Sequence, residues 1–421
     1  MEMVSQKTEN RPGSGARKVL RIISLLLAAE ALLLLLPTVA GAESRLTVDL
    51  TAASLAASGA GGIESSWSGL GSLRGALTFD QSGNRNVRSQ VRIEASVPSA
   101  GIAAAASADS SANTDPLVDF TLPRAYIKFR FPDLFTAMVG KGPITWGEGR
   151  YYNSGNLPVA AVAAAANLVS RDFEDAALWQ GSFTFPLGPF SFFETLFLPD
   201  SESLLLEDSS GGARLVVRPL GIKGEASYLF DGRDVQAADP ADPGNPAAQV
   251  TWADWTHKLA LGLQGNLFLD WHLTGSIHFP NSLSPEEAAG DTLRVSAGLY
   301  SLASVGPAGT LNFRLEALFA PFGRWEEVSG GLDATDPYDA YGAEIYPELS
   351  YDFGNGFSLM LRSVISPVDA SGVIIPGAVW NVFQGFNLIS FVSVQFGEAD
   401  DTYSINKPGG IAAQLACSVT Y

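Results

Sequence analysis

The chain has 421 residues, with 26 Lys and Arg against 44 Asp and Glu and a formal charge of −18 at pH 7. That acid excess argues against nucleic acid as a partner, and the single cysteine, Cys417, allows no intramolecular disulfide. Beyond the first forty residues no stretch has the roughly 20 uninterrupted apolar positions of a membrane helix, so a mature chain that spans a bilayer must close into a barrel of strands.

The N-terminus has the build of an export signal. Arg11, Arg17, Lys18 and Arg21 precede an apolar run from Ile22 to Leu36, and Thr38-Val39-Ala40-Gly41-Ala42 supplies the small residues that a signal peptidase accepts. Cleavage is expected after Ala42, giving a signal peptide over 1–42 and one domain over 43–421. The leader holds five of the 26 basic and three of the 44 acidic residues, which leaves 21 against 41 in the mature chain.

From there the sequence alternates with period two, the mark of strands with one apolar face. In chain order the expected strands are 45–53, 70–80, 87–97, 124–131, 134–141, 176–185, 190–198, 213–219, 222–230, 258–267, 271–279, 293–300, 311–320, 343–353, 357–366, 374–384, 386–396 and 411–421. The segment 87–97 is among the cleanest. Val87, Val91, Ile93, Ala95 and Val97 oppose Arg88, Gln90, Arg92, Glu94 and Ser96. The count is eighteen, with sixteen as the alternative because 374–384 alternates poorly.

The connections alternate as well. Nearly every second one is short, as at 132–133, 220–221 and 354–356, and nearly all of those between are long, as at 98–121, 142–175, 231–256 and 321–342. Short turns on one side and long loops on the other are the rhythm of a transmembrane up-and-down antiparallel barrel, and eighteen crossings return the C-terminus to the short-turn side.

The last strand puts Ile411, Ala413, Leu415, Cys417, Val419 and Tyr421 on one face and ends on the aromatic ring. This resembles the C-terminal signal of bacterial outer-membrane β-barrels, and on that resemblance Leu415, Cys417, Val419 and Tyr421 are what the barrel-assembly machinery reads. A half-buried edge strand of a soluble sandwich would alternate in the same way. Together the leader, the loop rhythm and this terminus place the protein in the outer membrane.

With the apolar faces toward lipid, the opposite faces line the lumen. Arg88, Arg92, Arg124, Lys128, Arg130, Arg214 and Arg314 are among thirteen basic side chains expected there, against nine acidic ones that include Asp49, Glu94, Glu225, Glu316 and Glu348. Two readings compete for such a wall. Either it favours anions, with Arg124, Lys128 and Arg130 as a ladder on one strand, or opposite charges pair across neighbouring strands and hold the barrel's shape. The acidic loops, with Glu286-Glu287, Glu326-Glu327 and Asp400-Asp401, are either solvated or bridged through divalent cations to lipopolysaccharide.

One long connection stands apart: Gly140-Lys141-Gly142-Pro143-Ile144-Thr145-Trp146-Gly147-Glu148-Gly149-Arg150-Tyr151-Tyr152, then an Ala/Val-rich run to Leu168. So apolar a segment is expected to fold back into the barrel over about 142–175, with a short helix at 158–168. The glycine and lysine ahead of Trp-Gly-Glu resemble a segment of uncharacterised outer-membrane barrel families near the alginate-export and sugar-specific porins, over about a dozen residues. An inward loop makes Lys141, Trp146, Glu148 and Arg150 the candidate selectivity region. A rim loop packed by Trp146 and Tyr151 is the competing arrangement.

Catalytic and cofactor chemistry is not legible. His257, His272 and His278 are the only histidines; His272 and His278 lie six residues apart on one inner face, roughly 20 Å, and are expected to be solvated lumen residues. No metal-ligand spacing, phosphate-cradling loop or CxxC pair is present. The expected function is therefore passive diffusion of small hydrophilic solutes, mildly favouring anions, without catalytic residues, metal or cofactor. A non-conducting adhesin or structural barrel is the alternative, and outer-membrane lipid and lipopolysaccharide are the surroundings in either case.

Overall fold

The computed structural model describes residues 43–59, 61–64, 66–84, 86–97, 118–159, 176–199, 209–232, 235–238, 249–252, 255–328, 332 and 339–421. The expected leader and residues 160–168 of the expected helix lie outside them. Strands β1 (Glu43–Ser58), β2 (Trp67–Asn84), β3 (Val87–Val97), β4 (Asp119–Phe131), β5 (Phe135–Pro143), β6 (Ala177–Gly188), β7 (Ser191–Leu198), β8 (Ser210–Val217) and β9 (Lys223–Asp231) follow one another around a wall. A small hairpin, β10 (Val235–Ala238) with β11 (Gln249–Trp252), interrupts them. The wall resumes with β12 (Thr256–Asn266), β13 (Asp270–Pro280), a helix α1 (Pro285–Thr292), β14 (Arg294–Val305), β15 (Gly309–Phe319), β16 (Ala343–Asp352), β17 (Phe357–Ser366), β18 (Ser371–Phe383), β19 (Phe386–Phe396) and β20 (Ile411–Thr420).

Every expected strand is present, and eighteen of them form one antiparallel sheet. The sheet closes because β20 pairs with both β19 and β1, from Asp49 opposite Thr420 to Ala57 opposite Ala412. Tyr421 extends that seam, its N–H donating to the Val48 carbonyl and its own carbonyl accepting from the Val48 N–H, both at 2.9 Å. Closure satisfies every edge, which is what lets strands cross a bilayer.

The outward rows are apolar and uncovered. Leu46, Leu50, Leu73, Leu77, Leu259, Leu261, Leu263 and Leu415 are all exposed. Rows of this kind on a closed cylinder form a lipid-facing belt. Among the described residues no helix is long and apolar enough to cross a membrane; the crossing is made by strands.

Two elements were not expected. The hairpin β10–β11 lies in the long connection after β9, and α1 lies in the connection after β13. The helix begins with a capping box: Ser284 Oγ accepts the Glu287 N–H while the Glu287 carboxylate accepts the Ser284 N–H, and Pro285 occupies the first turn. Read for charge alone, Glu286-Glu287 is simply an acidic loop.

Candidate functional site

Between β5 and β6 the chain turns inward. Trp146 is 1% exposed, and with Ile144 and Leu157 it packs on Leu196, Leu198, Leu229 and Ala260, residues of β7, β9 and β12 whose side chains face the lumen. Farther along, Tyr151 and Tyr152 pack on Tyr346, Val364, Val373, Ile375 and Phe391 from β16 to β19, with the Tyr151 and Tyr346 rings stacked at 4.4 Å. The segment 144–157 thus spans the lumen between two apolar patches on the inner wall.

Carboxylates from the wall hold its backbone. Glu225 accepts the Gly147 N–H at 2.9 Å. Glu316 accepts three successive N–H groups, those of Arg150 at 2.9 Å, Tyr151 at 2.7 Å and Tyr152 at 2.8 Å. Ser154 donates its hydroxyl to the Thr274 carbonyl at 2.8 Å, and the Tyr152 hydroxyl donates to Glu344 at 2.9 Å. Glu148 pairs with Lys223. Within the strap, Asn153 Nδ2 donates to the Trp146 carbonyl and Asn156 Oδ1 accepts the Trp146 N–H. Gly147 (φ 69°) and Gly149 (φ 106°) take left-handed conformations here, and a Cβ on Gly149 would lie 2.2 Å from the Tyr152 carbonyl oxygen.

The basic wall divides into two sets. Arg92 pairs with Asp49 at 2.9 Å, Arg214 with Glu194 at 2.5 Å, Lys258 with Asp231 at 2.7 Å, Arg314 with Glu316 at 3.0 Å and Arg362 with Glu348 at 2.9 Å. Arg74 pairs with Glu94 in the same way. Arg214 also lies over the rings of Trp146 and Phe192, at 5.6 and 5.3 Å. Arg124, Lys128 and Arg130 have no carboxylate within ion-pair distance among the described residues, and Arg88 reaches Asp80 only at 3.8 Å. In the ladder between β3 and β4, Arg88 stands opposite Lys128 and Arg92 opposite Arg124, so like charges face each other twice. On this wall the pairing reading describes most cations, and the ladder on β4 departs from it.

The remaining candidates fall as follows. Lys141 is in register with Ala125 and Trp179, on the row that carries Val139 outward, so the backbone sets it apart from Trp146, Glu148 and Arg150. The Arg150 side chain is exposed and Glu148 half-buried. Leu415, Cys417, Val419 and Tyr421 share the outward face of β20, Leu415 and Tyr421 being exposed. His272 departs from expectation: it lies over Gly298, its direct partner on β14, and its Nε2 is buried without a hydrogen bond, packed rather than solvated. Missed entirely were Glu225 and Glu316 as backbone clamps, because their partners are 78 and 166 residues away in sequence.

No family model matches the sequence, and no curated protein matches it. Solved structures match throughout. OccAB4 of Acinetobacter baumannii aligns over 90% of this chain and 98% of its own at 11% identity, with a TM-score of 0.54. The BenF-like porin of Pseudomonas fluorescens Pf-5 aligns over 90% and 98% at 12% identity, TM-score 0.52. Wzi of Escherichia coli, an outer-membrane protein involved in group 1 capsule assembly and described as a carbohydrate-binding β-barrel, aligns over 97% and 89% at 13% identity, TM-score 0.52. With its closed sheet and its apolar belt, the chain has the porin-like fold of these bacterial outer-membrane β-barrels.

Proposed function

We propose that the barrel is a channel for passive diffusion of small hydrophilic solutes, narrowed by the strap 144–157 and favouring anions. The supporting observation is the contrast along one wall. Arg92, Arg214, Lys258, Arg314 and Arg362 each have a carboxylate, while Arg124, Lys128 and Arg130 have none within ion-pair distance among the described residues. Paired charges cancel at a distance, so the unpaired ladder dominates the field that a solute meets. Glu148 and Arg150, on the strap, are the polar side chains assigned to the selectivity region in this reading. Diffusion needs no covalent step, and the role of the wall is to set which charges lower the entry barrier.

The protein reconstituted in planar bilayers tests this. Steady open channels carrying chloride in excess of potassium are expected. A barrel that inserts and stays silent would overturn the reading in favour of a surface or structural protein.

A further inference from the structure

We infer that the short-turn end of the lumen holds a binding site for a compact organic dianion, a phosphate monoester or a dicarboxylate, formed by Arg88, Lys128 and Arg130. The inference rests on the channel reading for its route of access, and deepens it by naming a solute class.

A cavity of about 530 Å³ lies there, lined by these three cations, by Thr136, Thr184 and Phe192, and by one carboxylate, Asp133 on the turn after β4, which lies within ion-pair distance of none of the three. Register fixes the arrangement. Arg88 and Lys128 are direct cross-strand partners, Arg130 is two residues along the same face from Lys128, and Thr136 pairs with both Arg130 and Thr184. Two cations directly opposite each other on adjacent strands repel, and a wall selected only for stability would separate them or supply a carboxylate. The same wall does supply one elsewhere: Glu194 sits opposite Arg214 in register, and Glu348 opposite Arg362. Lys128 and Arg130 are exposed to the cavity with no such partner among the described residues, and the carboxylate within reach of Arg88 is Asp80 at 3.8 Å.

What would compensate three convergent cations is an anion carrying more than one charge. Arginine offers paired N–H donors that match a planar or tetrahedral oxyanion, lysine a point charge, and the Thr136 hydroxyl a further donor beside them, while the Thr184 hydroxyl already donates to Glu194 at 3.4 Å. Phe192, which lines the cavity and lies under Arg214 at 5.3 Å, gives the organic part of the solute an apolar surface. A monovalent ion such as chloride would satisfy one of the three cations and leave the others opposed.

The test uses the full barrel in planar bilayers bathed in potassium chloride, with inorganic phosphate, glycerol 3-phosphate or succinate added on the side of the short turns, and acetate as the monoanion. Saturable reduction of the chloride current by the dianions at concentrations well below that of acetate is expected. In the Lys128→Gln, Arg130→Gln double variant the half-blocking concentration should rise about tenfold or more, given the strength of charge-assisted hydrogen bonds. Arg324→Gln, which removes a basic charge from the long-loop side, should leave it unchanged. A conducting channel on which dianions act no better than acetate, or on which block is indifferent to the double variant, overturns the site and leaves the channel standing. A silent barrel overturns the channel instead. Equilibrium binding of radiolabelled phosphate to the detergent-solubilised protein then decides the site by itself, and absence of saturation would reject it. A preference between phosphate and succinate identifies which dianion the site takes.

Discussion

Glu316 on β15 binds the backbone of Tyr152 at 2.8 Å across 164 residues of sequence, and the same carboxylate takes the N–H groups of Tyr151 and Arg150. A carboxylate that accepts three consecutive amides fixes the direction of the chain as well as its position. Replacing it with alanine strands three donors at the centre of the strap, each worth about 1–3 kcal/mol if it stays buried. We expect Glu316→Ala to release the strap and raise single-channel conductance, with added current noise, while the detergent-resistant folded barrel persists. Glu316→Gln, which keeps one acceptor oxygen, should fall between. Unchanged conductance in both variants would mean that the strap does not set the narrowest section.

At the other end of the strap the anchor is a ring. Trp146 is almost completely buried against Leu196, Leu198 and Leu229, and large-to-small changes at such sites cost about 3–5 kcal/mol. Because the strap is held to the wall by side chains rather than by the strand ladder, the loss should be local. Trp146→Ala is expected to speed amide exchange over 144–157 by two or more orders of magnitude while β12 to β14 stay protected. Uniform loss of protection around the barrel would show that the ring supports the wall itself.

These two anchors mark where the sequence was legible and where it was not. Strands were readable because lipid on one side and water on the other impose strict alternation, as in Val87 to Val97. Where the strap lies on the inner wall, the inside is no longer water, and apolar residues occur at both parities: Leu196 and Leu198 inside with Phe197 outside, Ile375 inside with Ile374 outside. The poor alternation of 374–384 was therefore a sign of buried contact rather than of a missing strand. The pairing of the wall cations was hidden for a related reason. Which carboxylate faces Arg362 or Lys258 depends on register between strands, and no single strand records it.

Charge selectivity should follow the same register. Neutralising an unpaired cation removes its field outright, whereas neutralising a paired one exposes its carboxylate. We expect Lys128→Gln and Arg130→Gln each to move the reversal potential in a potassium chloride gradient toward cation selectivity. Arg92→Gln should move it at least as far, because Asp49 is then left uncompensated 2.9 Å from the lost guanidinium. Potentials that do not move with Lys128 or Arg130 would remove the ladder from the account of selectivity.

On the long-loop side, Asp369 joins two connections. It accepts the Ser371 hydroxyl at 2.9 Å and the Thr402 N–H at 2.8 Å, tying the turn after β17 to the loop between β19 and β20. Burial pushes its carboxyl up, but the surrounding donors outweigh this and hold its pKa below the ordinary aspartate value. A depressed carboxyl contributes stability that is present above its unfolded pKa, about 3.9, and lost as pH falls through the lower folded value. Protection of the Thr402 and Tyr403 amides should therefore hold through pH 4 and fail only below it. In Asp369→Asn the same amides should be weakly protected and insensitive to pH over that window. Acid-dependent loss in the variant as well would assign it to another carboxylate.

The seam depends on the last residue. Tyr421 exchanges two backbone hydrogen bonds with Val48 and leaves its ring exposed on the lipid side, next in the outward row after Val419, Cys417 and Leu415. Removing it leaves the Val48 N–H and C=O without their partners where β1 meets β20. Deletion of Tyr421 should slow closure, read as a smaller heat-modifiable fraction on gels during refolding into lipid. Tyr421→Phe keeps both backbone bonds and the aromatic surface, and should refold at the parental rate. Slow refolding of Tyr421→Phe would shift the cause from the backbone seam to the phenol hydroxyl, and parental refolding of the deletion would show that the seam closes through β20 alone.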